Sequence, residues 1–411
     1  FNTNYLSSRM GRHPPTDGHI FELRFAMSPE HKPSSALFSS GPTKKFPGWN
    51  LTLLSNTPHG RSHRASIPKK KLLDAINRMS ALLKLPDDYR LGIVPASDTG
   101  AIEMAMWTVL GQRPLDILAW ESFGQTWVTD VSKQLKIPNV TTHSAEWGEI
   151  PDLSQVNFDH DVVFCWNGTT SGVRVPNANW IPQDRKGLSI VDATSACFAM
   201  PLEWDKIDIA TFSWQKSLGG EAAHGVIVLS PRAVERLESY TPAWPIPKIF
   251  QLTKNGKLIE GIFRGETINT PSLLCLEDLL AVLDWAEKIG GLDELVKRSD
   301  ENLKVISDWV DASAWADFLA VRPDTRSNTS ICLTITDPQI SQLPEAEQKD
   351  FAKAITKRLE EENVALDIGA YRTAPAGLRI WGGPTVDTSD IMILLDWLDF
   401  IFAEQKQIKI L

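Results

Sequence analysis

From Arg90 to Tyr240 the chain alternates short apolar runs with stretches of helical periodicity, and this rhythm restricts the fold more than any other feature of its 411 residues. Apolar runs occupy residues 91–95, 116–120, 161–166, 188–191, 207–212 and 225–229, with helical patterns between several of them, notably at 100–110 and 125–135. Such alternation predicts an α/β domain built on a mostly parallel sheet, whose strands need crossover helices. In sheets of this kind ligands collect at the carboxyl ends of the strands. The polar clusters of this segment all stand at such ends.

One cluster holds a candidate nucleophile. Residues 207–225 read I-D-I-A-T-F-S-W-Q-K-S-L-G-G-E-A-A-H-G, so Lys216 follows an apolar strand and precedes a segment of small residues. A lysine desolvated there has a lowered pKa and a neutral amine ready for Schiff-base chemistry. Taken alone, the stretch fits a loop lysine in solvent better, because lysines are mostly exposed.

Three upstream clusters bear on the choice. In P-A-S-D-T-G, residues 95–100, a strand runs straight into a helix. Ser97, Asp98 and Thr99 offer capping side chains and free N–H groups there, while Gly100 allows close approach, as a phosphate requires. In I-V-D-A-T-S-A, residues 190–196, Asp192 ends a buried strand and needs a cationic partner or a turn to cap. W-N-G-T-T-S-G, residues 166–172, is a third polar turn after a strand. No G-x-G-x-x-G or P-loop pattern accompanies them, which argues against dinucleotides and nucleoside triphosphates.

Together an aspartate, a lysine 24 residues later and an upstream phosphate cup form the set that pyridoxal 5'-phosphate needs. Asp192 would keep the ring nitrogen protonated, and Lys216 would hold the aldehyde and then act as base and acid. The net charge of −9 excludes a nucleic-acid surface as the main role. No apolar run is long enough for a membrane span. The four cysteines, Cys165, Cys197, Cys275 and Cys332, lack metal-ligand spacing, so no metal site is expected, and they fit reduced core thiols.

The loop S-G-P-T-K-K-F-P-G-W, the R-S-H-R element, V-D-A-T-S-A, S-W-Q-K-S-L-G-G and G-E-T-I-N-T-P-S together resemble the phosphoserine aminotransferases, of class V and fold-type I. The resemblance runs from about Ser34 to Phe402. It implies a fold-type I α/β transferase with a large domain around a mostly parallel mixed sheet and a smaller α+β C-terminal domain. It also implies a cytoplasmic homodimer with shared active sites, exchanging an amino group between O-phospho-L-serine and 2-oxoglutarate, with 3-phosphohydroxypyruvate and glutamate as products. Relatives also serve 4-phosphohydroxy-L-threonine in vitamin B6 synthesis.

By the same resemblance Lys216 is the Schiff-base lysine and Asp192 the partner of the ring nitrogen. Ser97, Asp98, Thr99, Thr169 and Gln215 are cofactor contacts, with Thr170 a neighbour of that set, and Asn269 and Thr270 reach the cofactor phosphate from the other subunit. Many members stack a tryptophan on the ring; here Phe123 is expected to stack, with Trp127 as its rival. Arg379 binds the α-carboxylate, and His63, Arg64 and Arg372 form the site for the substrate's other anionic end. Tyr371 stands where a histidine is common.

The expected domains are residues 34–270 for the large one and 271–411 for the small one, after an extension, leader or expression remnant at 1–33 with Met27 as a natural start. Alanine- or serine-glyoxylate aminotransferases share the lysine and aspartate but need fewer anion-binding arginines. Cysteine desulfurases need a cysteine on a mobile loop. A binding module that has lost catalysis is the remaining alternative.

Overall fold

Helix α1 (Ser66–Leu82) buries Leu72, Ala75, Ile76 and Met79, the spacing of one helical face, against the core beneath a seven-stranded sheet. The computed structural model describes residues 28–410, so Met27 and most of the expected N-terminal extension lie outside the described residues. After α1 come β1 (Arg90–Pro95), α2 (Ser97–Val109), β2 (Leu115–Ala119), α3 (Ser122–Thr129), β3 (Val140–Ser144), β4 (Asp161–Cys165), β5 (Ser189–Asp192), β6 (Ile209–Phe212), β7 (His224–Leu229) and α4 (Pro231–Ser239).

The strand order is β1-β7-β6-β5-β4-β2-β3. β3, β2, β4, β5 and β6 pair in parallel, while β7 is antiparallel to both β6 and β1. Strands β2, β4, β5, β6 and β7 are buried at every position, as a sheet covered on both faces requires. The edge strand β3 is V-T-T-H-S and largely exposed, which is why no apolar run announces it. Arg236 on α4 forks onto Asp161 at the start of β4, at 2.8 and 3.2 Å, and also reaches the Val109 carbonyl at 3.0 Å. This buried pair locks α4 and the end of α2 onto the sheet.

Helix α5 (Leu273–Ile289) adds Leu276, Leu279 and Leu283 to the core beneath the large sheet. A second core is built from α6 (Leu292–Ala312), β8 (Ala316–Phe318), β9 (Ser330–Ile335), α7 (Glu345–Glu361), β10 (Gly377–Trp381) and α8 (Thr388–Ile410). Its sheet is antiparallel, in the order β8-β9-β10. The fold is therefore the expected α/β sheet of mostly parallel strands with a smaller α+β layer. The chain before α1 joins the second core through Phe38, whose carbonyl accepts from Trp381 N at 3.0 Å. None of the described helices is long and apolar enough to cross a membrane.

Candidate active site

The carboxyl ends of β1, β4, β5 and β6 open into one cavity of about 140 Å³. It brings together Ser97, Asp98, Thr99, Phe123, Thr169, Asp192, Gln215 and Lys216, as expected from the sequence. It adds Trp127, until now only a rival for the stacking position, and Cys165, Asn167 and Thr194, which sequence reasoning had not placed in the site. Asn167 and Thr194 sit inside the two polar clusters already singled out, so their position was the available signal.

Lys216 lies four residues beyond β6, and its amine donates to the Ser40 carbonyl. Burial brings that amine down to about 8, with the Arg379 guanidinium pushing the same way and Asp192, Asp98 and Glu121 opposing. The loop at 40–43 holds the lysine backbone too: Thr43 Oγ1 donates to the Lys216 carbonyl at 2.6 Å, and Thr43 N to the Gln215 carbonyl at 3.0 Å. A Cβ added at Gly41 would collide with the Lys216 amine, so only glycine permits this approach.

Asp192 is 8% exposed. Its Oδ2 accepts from Trp127 Nε1 at 3.2 Å and its Oδ1 from Thr194 N at 3.1 Å, while the Cys165 thiol lies 3.7 Å from Oδ2. A carboxylate anchored in this way and left facing a cavity is suited to a positive ligand group. Trp127 is therefore an anchor of Asp192, sunk in the core at 3% exposure.

Helix α2 starts differently from the capped start that Ser97, Asp98 and Thr99 suggest. The capping position is Ala96, with no side-chain cap, and Ala96 and Ser97 both adopt left-handed backbone with φ of 67° and 51°. The Ser97 N–H is taken by the Ala223 carbonyl at 3.2 Å, which leaves the Asp98 and Thr99 N–H groups of the first turn at the cavity. The Asp98 side chain turns inward to Asp192 and is buried. Gly100 makes its close approach to the chain itself, since a Cβ there would meet the Pro95 carbonyl and Ala96.

Phe123 meets Tyr371 with ring centroids 5.9 Å apart, and the Arg372 and Arg379 guanidinium groups lie 5.6 and 5.5 Å from the Tyr371 ring. Ser122 and Thr373 hydroxyls close the same junction at 2.6 Å. Arg379 sits in the middle of β10 and its Nε is buried without a partner among the described residues. Arg372 is exposed. Thr170 does not line the cavity; its hydroxyl donates to Glu121 Oε2 at 2.7 Å and fixes the start of α3.

His63, Arg64, Asn269 and Thr270 stand apart from Lys216. His63 and Arg64 line a separate cavity of about 240 Å³ with Lys69 and residues 265–267, and Asn269 and Thr270 are exposed in the loop that follows. A larger cavity of about 380 Å³ lies beside Trp120, Ser122, Trp147 and Thr373. Its lining contains no lysine.

The Lys216 cavity fits pyridoxal phosphate by its own accounting of polar atoms. Asp98 Oδ1, Asn167 Oδ1, Thr194 Oγ1 and Gln215 Oε1 are buried around it without partners among the described residues. Buried polar atoms are rarely left so, and a polar ligand would satisfy them. No group of three His, Cys, Asp or Glu residues among the described residues is arranged to hold a metal.

No family model matches the chain. It is 53% identical over 378 residues to the phosphoserine aminotransferase of Methanosarcina barkeri, covering 92% of this chain and 99% of that one. The crystal structure of a phosphoserine aminotransferase from Cytophaga hutchinsonii has a TM-score of 0.75 at 22% identity, covering 88% of this chain and 97% of that one. An alanine-glyoxylate aminotransferase from Nostoc sp. has a TM-score of 0.73 at 18% identity, covering 95% and 100%, so the fold is shared across activities. The sequence relationship decides the family: the chain belongs to the phosphoserine aminotransferases, enzymes that work with pyridoxal phosphate.

Proposed function

We propose that this chain transfers the amino group of O-phospho-L-serine to 2-oxoglutarate, and the reverse, on pyridoxal phosphate carried by Lys216. The observation that carries this reading is the Lys216 amine, brought down to about 8 and sharing one cavity with an anchored Asp192. When bound, the cofactor supplies an electrophilic carbonyl and a ring that draws negative charge away from the substrate carbon.

The residues present divide that work. Asp192 holds a positive charge at the ring nitrogen, and Trp127 and Thr194 N keep its oxygens in place. The Asp98 and Thr99 amides with the Ser97 and Thr99 hydroxyls would hold the phosphate, and Thr169 and Gln215 would contact the rest of the cofactor. Phe123 would be the aromatic contact of the cofactor, because Trp127 is already committed to Asp192. A neutral Lys216 amine would take the proton from the substrate carbon and deliver it to the cofactor's carbonyl carbon, with the reverse movement in the second half of the reaction, and an amine near 8 is suited to both directions near neutral pH.

Arg379 takes the α-carboxylate, its buried Nε awaiting an acceptor. Arg372 takes the far anionic end, together with His63 and Arg64 of a second subunit. That second copy is supported by the clustering of His63 and Arg64 with residues 265–267, next to the exposed Asn269 and Thr270. The homodimer thus completes each site. We place the division between large and small domains at residues 270 and 271, and the enzyme in the cytoplasm, where free thiols such as Cys165, Cys197 and Cys332 persist. The same arginines suit 4-phosphohydroxy-L-threonine.

A half-reaction screen tests the substrate. Phosphoserine or glutamate, added alone to the holoenzyme, should convert the cofactor spectrum to the amine form. Alanine or serine converting it faster would refute the assignment.

A further inference from the structure

Asp98 offers its backbone to the cofactor phosphate, and its side chain is one of the buried polar groups at the cavity that no described residue satisfies. That side chain is 6% exposed, and Oδ1 has no hydrogen-bond partner among the described residues. It borders the Lys216 cavity and reaches hydrogen-bonding range of the Asp192 carboxyl. Two carboxylates in contact inside a protein do not both ionise near neutral pH.

The neighbours decide which of them keeps the proton. Glu121 at the start of α3, Cys165 at the end of β4, Cys197 beyond β5 and Lys216 beyond β6 surround the pair, with the Thr194 and Thr211 hydroxyls beside Asp98. Arg379 acts from beyond Lys216. His224 on β7 is turned away, accepting from Ser272 N at 3.1 Å. Glu121 already accepts from Gly124 N at 2.6 Å and from the Thr170 hydroxyl at 2.7 Å. Asp192 has Trp127 Nε1 and Thr194 N as donors. Asp98 has no comparable N–H donor. The N–H groups of the first turn of α2 favour an anion there, and the Thr194 and Thr211 hydroxyls lower its pKa, but Oδ1 stays unbonded, and burial, followed by the Asp192 charge, outweighs them and holds the carboxyl well above its usual range.

We propose that Asp98 is a positioning residue, a neutral carboxylic acid whose O–H donates to Asp192, so that the pair shares one proton and presents one negative charge to the ring nitrogen. The proton stays within the pair, and no bond to substrate changes. The shared proton holds the Asp192 oxygens in register and leaves the pair one negative charge to set against the ring nitrogen. A protonated ring nitrogen then keeps its own proton. The consequence for the ring rests on the cofactor reading, but the shared proton is a property of the chain alone.

Difference infrared spectroscopy of the cofactor-free protein separates the two. At pH 7 the wild type minus Asp98→Asn difference spectrum should show one positive protonated-carboxyl carbonyl band, and in the wild type that band should persist from pH 6 to 8. The absence of such a band would overturn the proposal, whatever happens at Lys216. A second arm compares variants by cofactor titration and visible absorption. Asp98→Asn, whose amide also donates, should hold cofactor affinity within about twofold, and Asp98→Ala should lose roughly tenfold. Equal losses in both variants would show that Asp98 works as an anion and would also overturn it.

Discussion

The Trp127 indole donates to Asp192 Oδ2 at 3.2 Å, joining residues 65 apart in the chain. A helix that follows β2 thereby fixes a carboxylate at the end of β5. Trp127→Phe keeps most of the buried ring and removes the donor, so its effect isolates the hydrogen bond. Cofactor affinity should fall roughly tenfold, the worth of one bond to a charged group. Titration of the apoenzyme with pyridoxal phosphate measures it, and an unchanged affinity would deny Trp127 this role.

The Lys216 amine gives a pH dependence with a definite sign. It titrates at about 8 in the folded chain against 10.5 for the ordinary side chain. The folded apoenzyme therefore binds this proton less tightly than the unfolded chain. The penalty for a buried charge is present in full below pH 8 and fades as pH rises from 8 to about 10.5. Lys216→Met should stabilise the apoenzyme at pH 7 by about 1–3 kcal/mol, with the gain shrinking toward pH 10. Urea unfolding at both pH values checks it.

Gly41→Ala should disturb the lysine without touching any acid, base or arginine. The new Cβ would occupy the space of the Lys216 amine. The amine, at the free end of a flexible side chain, would have to move off the Ser40 carbonyl, and covalent attachment of the cofactor should weaken with the fold intact. Absorbance of the bound cofactor and circular dichroism together distinguish that outcome from unfolding.

Much of this was legible in the chain. The helices at Leu273–Ile289 and Glu345–Glu361 and the strand Gly377–Trp381 follow uninterrupted periodic patterns, and Lys216 and Asp192 stand where strands end. The edge strand Val140–Ser144 was not legible, because its side chains face water and carry no apolar signal. The strand Ala316–Phe318 is only three residues long. Nor could sequence show that Asp98 turns to Asp192, that Gly41 touches Lys216, or that Trp127 anchors a carboxylate. Those relationships exist only after distant strand ends have been brought together.

The Arg236–Asp161 pair makes a stability prediction away from the site. Asp161 is fully buried, so removing Arg236 strands its charge. Arg236→Met should cost about 3–5 kcal/mol. The double variant Arg236→Met with Asp161→Asn should recover part of that loss. Chemical denaturation of the three proteins measures the coupling.

Under the proposed function, Arg372 and the Arg64 of a second subunit take the far anionic end of the substrate. Either alanine variant should lower kcat/KM for phosphoserine about 30-fold or more, the worth of a charge-assisted hydrogen bond. Turnover of alanine should change by less than about threefold. Mixing Arg64→Ala with Lys216→Ala protein should restore about a quarter of wild-type activity, from heterodimers with one intact site. No recovery would contradict a shared site.

The most direct measurement of the central claim is borohydride reduction of the holoenzyme followed by peptide mass spectrometry. The predicted result is a pyridoxyl adduct on Lys216, reduced in Gly41→Ala and lost in Lys216→Ala. An adduct on another lysine, or none on a protein that turns over phosphoserine, would contradict it.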